Sequence, residues 1–313
     1  MKSRLVMLYF SQLDRRRLRS QLWILAAVLT AFLFVTSSPE LAAATTPRAN
    51  VKWHEIDTAH FRILTWQDLT ASSDDLRLET TCEGALTRLS TYWFGRSEPL
   101  DQKCDIVLYP SDESYCRAIG GHAVNTVGSV VIGRNRQRPF FRIELRASRS
   151  DWETAGLPHE LTHVLFAQRF AGCKLPAWVN EGTALLADPA SKQALHLRDY
   201  CRARANGAAL PLTELMSLSD YPNHREWPVF YGQSLSLIKC LVERKSPQAL
   251  VEFIDKSLER GYATGLREVY NINGMDELQQ ILSQYVAQSD APFIRAPLSP
   301  RTSDARNIKH PRQ

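Results

Sequence analysis

The residues with the clearest chemical potential are two histidines that stand four positions apart with a glutamate between them. They belong to the run His159-Glu160-Leu161-Thr162-His163, which fits the pattern H-E-x-x-H. On a helix, residues four apart lie on one face, so both imidazoles can reach a single ion, and neutral imidazole nitrogens suit zinc. Glu160 lies about one hundred degrees around the helix from His159, so it can take a proton from a zinc-activated water. The run predicts one catalytic Zn2+ with His159 and His163 as ligands and Glu160 as general base.

A third protein ligand is expected downstream, because a catalytic zinc takes three protein ligands and keeps one position open. Glu181 follows His163 by eighteen residues. Pro176 can begin a new helix, which would present Glu181 from a second element that faces the first. The alternative is that the polar side chains of the motif lie exposed on an ordinary amphipathic helix. The apolar neighbours Leu161 and Leu165 disfavour it, because they indicate a core helix on which polar groups need a partner such as a metal.

The two motifs together are similar to those of gluzincin zinc metallopeptidases, in which a glutamate downstream of H-E-x-x-H completes the metal site. The stretch Leu-Pro-Ala-Trp-Val-Asn-Glu-Gly at 175–182 resembles the peptidase MA-like family, where such a stretch supplies the third ligand. The resemblance covers residues 53–287 and is strongest over 157–187. It implies a zinc endopeptidase or aminopeptidase with a thermolysin-like core, whose peptide or protein substrates pair with the edge strand of a sheet. The metzincin pattern does not fit, because Phe166 and Arg169 stand where it needs Gly and His.

The resemblance also implies roles for residues outside the ligand set. Tyrosines on a downstream helix serve gluzincins as donors to the oxyanion, which makes Tyr231 a candidate catalytic residue beside Glu160; an ordinary core aromatic is the alternative interpretation. Thermolysin-type members carry Asp four residues after the glutamate ligand, but this chain has Leu185 there. Asp188 or a backbone carbonyl must then orient the imidazole.

The spacing of apolar residues predicts an α+β fold, with strands and one long helix first and a helical half afterwards. Strand patterns occur at Val51–Ile56, His60–Thr65, Asp105–Tyr109, Val127–Ile132 and Phe140–Leu145, and the long helix is predicted between Leu78 and Trp93. Further helices are predicted from Ser150 onward and at Pro176–Ala187, Lys192–Ala205, Tyr231–Glu243, Gln248–Glu259 and Met275–Ala287. Ser150 and Glu153 have the spacing of a capping box at the start of the metal helix. We therefore expect an N-terminal mixed or antiparallel sheet, followed by a helical half that carries the zinc site.

The two ends of the chain differ in composition from its centre. Basic residues precede an apolar run from Leu22 to Val35, and the small residues Ala42–Ala44 follow, as in a signal peptide. The run is shorter than the ~20 residues that span a bilayer, so residues 1–44 are predicted to be a cleaved signal peptide, with an uncleaved signal anchor as the alternative. We expect an exported protein, periplasmic or extracellular, with a linker at 45–50, a metallopeptidase domain at 51–290 and a disordered basic tail at 291–313.

The charge distribution and the cysteines bear on partners and on covalent bonds. The formal charge is +5 over 313 residues, but the excess of basic residues lies at the two ends, so no nucleic-acid partner is expected. Contact with a membrane is expected only through an uncleaved N-terminal anchor. The even count of six cysteines in an exported protein predicts one or more disulfides, and the alternative is that some are small buried apolar residues.

Two alternatives to a peptidase stay open from the sequence. A catalytically silent gluzincin-like binding or scaffold domain would keep the fold without the chemistry, although both histidines, the base and the third carboxylate are present. A zinc hydrolase of non-peptide amides or esters would use the same metal chemistry. The remaining candidates have structural interpretations: a loop for His122, packing beneath the glutamate ligand for Trp178, a local hydrogen bond for Asn180, and a surface position or satisfied hydrogen bonds for single histidines such as His196.

Overall fold

The computed structural model describes residues 53–66, 72–120, 126–135 and 138–289, all within the compact unit Lys52–Gln313. The predicted signal peptide, linker and basic tail lie outside the described residues, as does His122. Within the described ranges, no helix is both long enough and apolar enough to cross a membrane.

Five strands of the described chain form one mixed sheet. They are β1 (Trp53–Asp57), β2 (Phe61–Trp66), β3 (Cys104–Tyr109), β4 (Gly128–Asn135) and β5 (Arg138–Arg146). Their spatial order is β1-β2-β3-β5-β4. β2 pairs with β3 and β3 with β5 in parallel, whereas the β1–β2 and β4–β5 pairs are antiparallel. β4 is therefore an edge strand, and among the described strands β5 is its one neighbour.

The described residues also form ten α-helices, most of which follow the sheet. They are α1 (Ser72–Phe94), α2 (Asp112–Ile119), α3 (Leu157–Arg169), α4 (Ala177–Leu186), α5 (Ala190–Ala205), α6 (Leu212–Ser217), α7 (Trp227–Arg244), α8 (Pro247–Arg260), α9 (Tyr262–Gly265) and α10 (Met275–Ser289). Short π-helices at Trp152–Gly156 and Leu266–Tyr270 precede α3 and follow α9. The predicted α+β class is confirmed, with a sheet-containing front half and a helical back half.

One face of the sheet forms the first hydrophobic core. In β5, Phe141, Ile143 and Leu145 lie in this core, and they alternate with residues on the other face, as side chains do along a strand. Leu86 of α1 and Leu161 of α3 belong to the same cluster. The metal-motif helix α3 is thus held against the sheet by apolar burial.

The helices after the sheet enclose a second hydrophobic core. Helix α7 contributes Phe230, Leu237 and Leu241, none of which is exposed. Helix α3 also reaches this core through Phe166, whose ring contacts Trp93 of α1 edge-on at 5.1 Å between centroids. Because α3 has apolar side chains in both cores, its rotation about its own axis is fixed, and so is the direction of its polar side chains.

Helix α4 packs unusually close to α7, and a glycine makes this possible. A Cβ atom at Gly182 would lie 2.5 Å from Cγ1 of Ile238 and 2.8 Å from the backbone oxygen of Ser234. Real side chains do not approach so closely, so any larger residue would push the two helices apart. Gly182 directly follows Glu181, and the close packing therefore fixes where that carboxylate is presented.

Three local predictions are corrected by the structure. The front half contains a second helix, α2, which buries only Tyr115 and so leaves little apolar periodicity in the sequence. The capping box expected at Ser150 and Glu153 is absent, and the π-helix Trp152–Gly156 stands there without a side-chain cap. Pro158 contributes to this, because it lacks the N–H that an α-helical bond to residue 154 would require. Strands β4 and β5 extend further than predicted, and only residues 136–137 separate them.

The expected disulfides are not formed, since all six cysteines are free thiols in the structure. Cys82, Cys104 and Cys240 are buried among apolar side chains of the two cores. Burial raises the pKa of Cys82 to about 12 and that of Cys240 to about 11. These cysteines fit the alternative interpretation, in which the thiol serves as a small apolar core residue.

Candidate metal centre and active-site cavity

Two helices bring three potential metal ligands together. Helix α3 carries His159 and His163 one turn apart, and α4 carries Glu181. One ligand atom from each residue lies within 4.8 Å of the others, and Nε2 of His163 is 3.8 Å from a carboxylate oxygen of Glu181. His163 and Glu181 are each only 6% exposed. The three residues singled out by the sequence thus converge on one point that is shielded from bulk water.

The second nitrogen of each imidazole is held by an oxygen atom of a neighbouring side chain. Nδ1 of His159 lies 3.3 Å from Oδ1 of Asp188, and Nδ1 of His163 lies 3.1 Å from Oδ1 of Asn180. With Nδ1 donating to these oxygens, Nε2 of each ring is left to accept a metal ion. Asp188 therefore orients His159, a role that Leu185 cannot have. The local hydrogen bond that we expected of Asn180 is the one with His163.

The burial and protonation state of Asp188 suit its role of orienting His159. Its side chain is completely buried, and its second oxygen lies 2.9 Å from Nζ of Lys192. Burial acts to raise the pKa of Asp188, but the hydrogen bond with His159 and the charges of His159 and Lys192 outweigh it and hold the pKa below its ordinary value. The carboxylate is therefore ionised at neutral pH and accepts from the imidazole.

A tyrosine that sequence reasoning missed holds the third ligand. The hydroxyl of Tyr221 donates a hydrogen bond to Oε1 of Glu181, the same oxygen that faces His163. Burial, together with the charge of Glu181, raises the pKa of Tyr221, so the hydroxyl keeps its proton. Tyr221 lies forty positions from Glu181 in a stretch between α6 and α7, and no local pattern marks it.

The donor set fits zinc. Two imidazoles and one carboxylate are the ligands of a well-known class of catalytic zinc sites, with the fourth position open. Their orientation by Asp188, Asn180 and Tyr221 is the kind of outer support that metal-binding histidines and carboxylates require. The same three side chains are the one group of metal-binding geometry found among the described residues.

Glu160 lies beside the ligands and against the edge strand. It is 7% exposed, and a Cβ atom at Gly128 would stand 2.8 Å from its Cγ and 2.9 Å from Oε1. Gly128, the first residue of β4, therefore has no space for a side chain, because the side chain of Glu160 occupies it. Burial raises the pKa of Glu160, and the neighbouring His159 and His163 counteract this only in part. A raised pKa makes a carboxylate a stronger base, as a group that takes a proton from water requires.

These groups open into a cavity of about 210 Å3. Its wall includes His159, Glu160 and Glu181 from the metal helices, Thr126–Gly128 from the edge of the sheet, and Tyr231 from α7. Burial and the nearby carboxylates of Glu181 and Glu160 raise the pKa of Tyr231, so its hydroxyl remains a donor. Tyr231 therefore lies in the cavity wall beside the candidate base, which is the position that its predicted catalytic role needs.

Two further cavity residues come from α5. Lys192 and His196 stand one helical turn apart and both line the same cavity. The sequence indicated for His196 an isolated histidine, either on the surface or with satisfied hydrogen bonds, and it indicated no role for Lys192, because nothing near them in the chain links them to the motif. Their place in the cavity wall depends on how α5 packs against α7. A Cβ atom at Gly232 of α7 would lie 2.2 Å from the backbone oxygen of His196, so the glycine allows the two helices to pack very closely.

Trp178 has the packing role that the sequence interpretation gave it. Its side chain is fully buried, and its indole Nε1 donates to the hydroxyl of Tyr262 at 3.1 Å. The ring lies in the helical core and does not line the cavity of the metal centre. It therefore supports the start of α4, which carries Glu181.

The assembled site can bind a divalent metal, move a proton through Glu160 and donate a hydrogen bond from Tyr231, all within one cavity. Comparison of the chain with protein-family models and with curated proteins found no match. The donor atoms, their hydrogen-bond partners and the cavity that they share are therefore the features that indicate a function.

Proposed function

We propose that the chain is an exported zinc-dependent metallopeptidase of the gluzincin type, with His159, His163 and Glu181 as zinc ligands. The observation that carries the proposal is the convergence of these three side chains, with both Nδ1 atoms held by Asp188 and Asn180. A chance cluster of histidines would not need both rings turned to present Nε2. This arrangement is what a metal site requires of its histidines.

A thermolysin-like core is part of the proposal, and two features support it. A sheet precedes the metal helix in the chain, and that sheet's edge strand β4 begins directly against Glu160. The resemblance to the peptidase MA-like family covers the same span, from the first strand to the last helix. An extended peptide that paired with β4 would therefore pass beside the catalytic carboxylate.

Zinc, when bound, would lower the pKa of a coordinated water toward ~7 and polarise the substrate carbonyl. Glu160 accepts the proton of the attacking water and later passes it to the leaving amine. Its buried position against Gly128 keeps the carboxyl group aimed into the cavity. Tyr231 donates its hydroxyl proton in a hydrogen bond to the oxyanion that develops on the carbonyl.

The edge strand supplies a template for the substrate backbone. Peptides bind exposed sheet edges by adding a strand, with main-chain hydrogen bonds providing affinity. On β4, Val131 and Ile132 are 43% and 47% exposed, so the strand also offers apolar contacts. We propose peptides in extended conformation as the substrate class for this reason.

The test combines metal content with activity in three variants of the full-length chain. Wild type should hold one zinc per chain and cleave denatured protein substrates. Glu181→Ala should lose zinc, whereas Glu160→Gln should keep zinc and lose peptidase activity. Equal activity of wild type and Glu160→Gln would rule out the mechanism, and zinc-loaded wild type that cleaves esters but no peptide would favour a non-peptide hydrolase.

A further inference from the structure

One wall of the active-site cavity carries a cation that the catalytic mechanism does not use. Among the described residues, the charged side chains that line the cavity are those of Glu160, Glu181 and Lys192. The two glutamates are engaged as candidate base and metal ligand. Lys192 is therefore the charged group left for contact with a substrate side chain or terminus.

The ammonium group of Lys192 is anchored and still accessible. It lies 2.9 Å from the buried Oδ2 of Asp188, while the Lys192 side chain as a whole is 36% exposed. A lysine ammonium has three N–H donors, and the ion pair with Asp188 leaves at least two of them for other acceptors. Its position is thus fixed through Asp188 relative to His159 and the metal centre.

His196 adds a second donor on the same face of α5. Its ring packs edge-on against the Tyr231 ring, with 5.8 Å between centroids. No hydrogen-bond partner of its nitrogens occurs among the described side chains, and an imidazole offers at least one N–H donor in either protonation state. Residues four apart on a helix are neighbours, so Lys192 and His196 can contact the same ligand group.

We propose that Lys192 and His196 form a carboxylate-binding subsite, so that the enzyme prefers peptides with a carboxylate within one or two residues of the scissile bond. This inference depends on the proposed peptidase function. A carboxylate matches the two donors, because charge-assisted hydrogen bonds from an ammonium group are the stronger kind. Lys192 lines the same cavity as Glu160 and Tyr231, so a group held by Lys192 lies close to the reacting carbonyl beside these two residues.

The carboxylate can come from an acidic side chain or from a free C-terminus, and the experiment separates these sources. A neutral, C-terminally amidated peptide is first cleaved by wild type, and mass spectrometry gives the scissile bond. Three versions are then compared: the neutral amide, a version that ends in a free acid one or two residues beyond the cleaved bond, and an amide with Glu at a flanking position. Dissociation constants are measured by calorimetry on the zinc-loaded Glu160→Gln full-length chain, which does not turn the peptides over.

We expect one of the two carboxylate peptides to bind about tenfold more tightly than the neutral amide, a difference of about 1.4 kcal/mol. The preference should disappear when Lys192→Met is added, and Lys192→Arg should restore most of it. The matched control is Lys239→Met, because Lys239 also pairs with an acidic residue one turn away on its helix, at 3.9 Å from Glu243, but does not line the cavity. His196→Leu should reduce the preference in part.

Equal binding of all three peptides would overturn the subsite, as would a preference that survives Lys192→Met. Loss of zinc from both Lys192→Met and Lys192→Arg would also overturn it, because Lys192 would then act by holding Asp188. These results differ from failure of the proposed function, in which wild type holds no zinc or cleaves none of the peptides. An enzyme that holds zinc and cleaves the neutral and carboxylate peptides equally well keeps the proposed function and loses only the subsite.

Discussion

At the scale of single residues, the candidate metal centre depends on side chains that orient the ligands as much as on the ligands. His159 and His163 each have one ring nitrogen occupied by Asp188 or Asn180, and Glu181 accepts from Tyr221. Such partners fix ring rotation and ligand basicity, and their loss commonly lowers metal affinity by about 10–100-fold. Each of them can therefore be tested without removing a ligand.

Tyr221→Phe removes the hydroxyl that holds Glu181 and keeps the ring. We expect zinc affinity to fall by about tenfold, because the carboxylate loses its fixed orientation. Competition with a fluorescent chelator measures the affinity. Tyr270→Phe is the control, since the buried Tyr270 hydroxyl has no hydrogen-bond partner in the part of the chain that the structure describes and lies in the helical core. Unchanged zinc affinity in Tyr221→Phe would contradict the orienting role.

Tyr231→Phe tests the predicted oxyanion donor. Removing one preorganised donor to an oxyanion costs about 100–1000-fold in kcat. We expect a fall of that order in peptide turnover, with one zinc per chain retained, because Tyr231 lines the cavity without contacting the ligand triad through a hydrogen bond. Steady-state kinetics measures kcat, and metal analysis of the same samples measures zinc content. A kcat equal to that of wild type would show that Tyr231 only packs in the cavity wall.

At the scale of elements, the start of β4 and helix α3 are fitted to each other. Gly128→Ala would add a methyl group less than 3 Å from both Cγ and Oε1 of Glu160, so the carboxyl group must move. We expect kcat to fall by about tenfold or more, because displacement of a catalytic group by 1 Å is costly, while zinc binding persists. Gly133→Ala on the same strand meets no atom within 4 Å and serves as control. If Gly128→Ala and Gly133→Ala have the same kcat, the contact between Gly128 and Glu160 does not contribute to catalysis.

The turn between β1 and β2 is tied to α1 by the partly buried carboxylate of Glu83. Glu83 accepts hydrogen bonds from Thr58 Oγ1 at 2.6 Å, from the His60 backbone nitrogen at 2.9 Å and from His60 Nδ1 at 2.7 Å. Burial acts to raise the pKa of Glu83, but these hydrogen bonds outweigh it and hold the pKa below its ordinary value of 4.5. A lowered carboxyl pKa stabilises the folded state above the ordinary pKa, and this contribution is lost as pH falls through the lowered value.

We therefore expect Glu83→Gln to lower the free energy of unfolding at pH 7 by about 1–2 kcal/mol, since hydrogen bonds to the charged oxygen are weakened. Below pH 4.5 the difference from wild type should shrink, because wild-type Glu83 then becomes protonated too. Urea denaturation at a series of pH values measures both effects. Glu79→Gln, an exposed change one turn earlier on α1, should match wild type throughout. A constant difference across pH would show that the charge of Glu83 is not involved.

At the scale of the whole molecule, the metal site lies on a helix that belongs to both hydrophobic cores. Leu161 of α3 packs in the sheet core, and Phe166 packs in the helical core. The ligands are distributed over α3 and α4, so a bound ion cross-links elements that unfolding separates. A ligand that binds only the folded chain stabilises it by about 2.7 kcal/mol when its free concentration is one hundred times its Kd.

Removal of zinc should therefore lower the thermal midpoint of the full-length chain. We expect a drop of several degrees on adding a chelator, reversed by excess zinc, with calorimetry as the measurement. The ligand variant Glu181→Ala should start from the lower midpoint and show no response to chelator. A wild-type midpoint that ignores both chelator and zinc would argue against a metal bound by the native state.

The sequence alone determined those features that local periodicity encodes. His159 and His163 share a helix face because they are four residues apart, Glu160 follows from the same motif, and alternation of apolar residues located the strands of the sheet. Glu181 was expected because a catalytic zinc needs a third protein ligand, and Tyr231 came from the resemblance to a known family. Both lie in the wall of the cavity with the motif. The α+β order followed from the sequence of the elements.

Only the tertiary structure decided which distant side chains complete the site. Tyr221 meets Glu181 across forty positions, Gly128 meets Glu160 across a strand-to-helix contact, and α5 brings Lys192 into the cavity. These contacts depend on the angles and separations at which helices and strands pack, which are set by the shapes of two cores. All six cysteines are free thiols in the same structure. Local patterns fix which residues share a face, whereas packing fixes which faces meet.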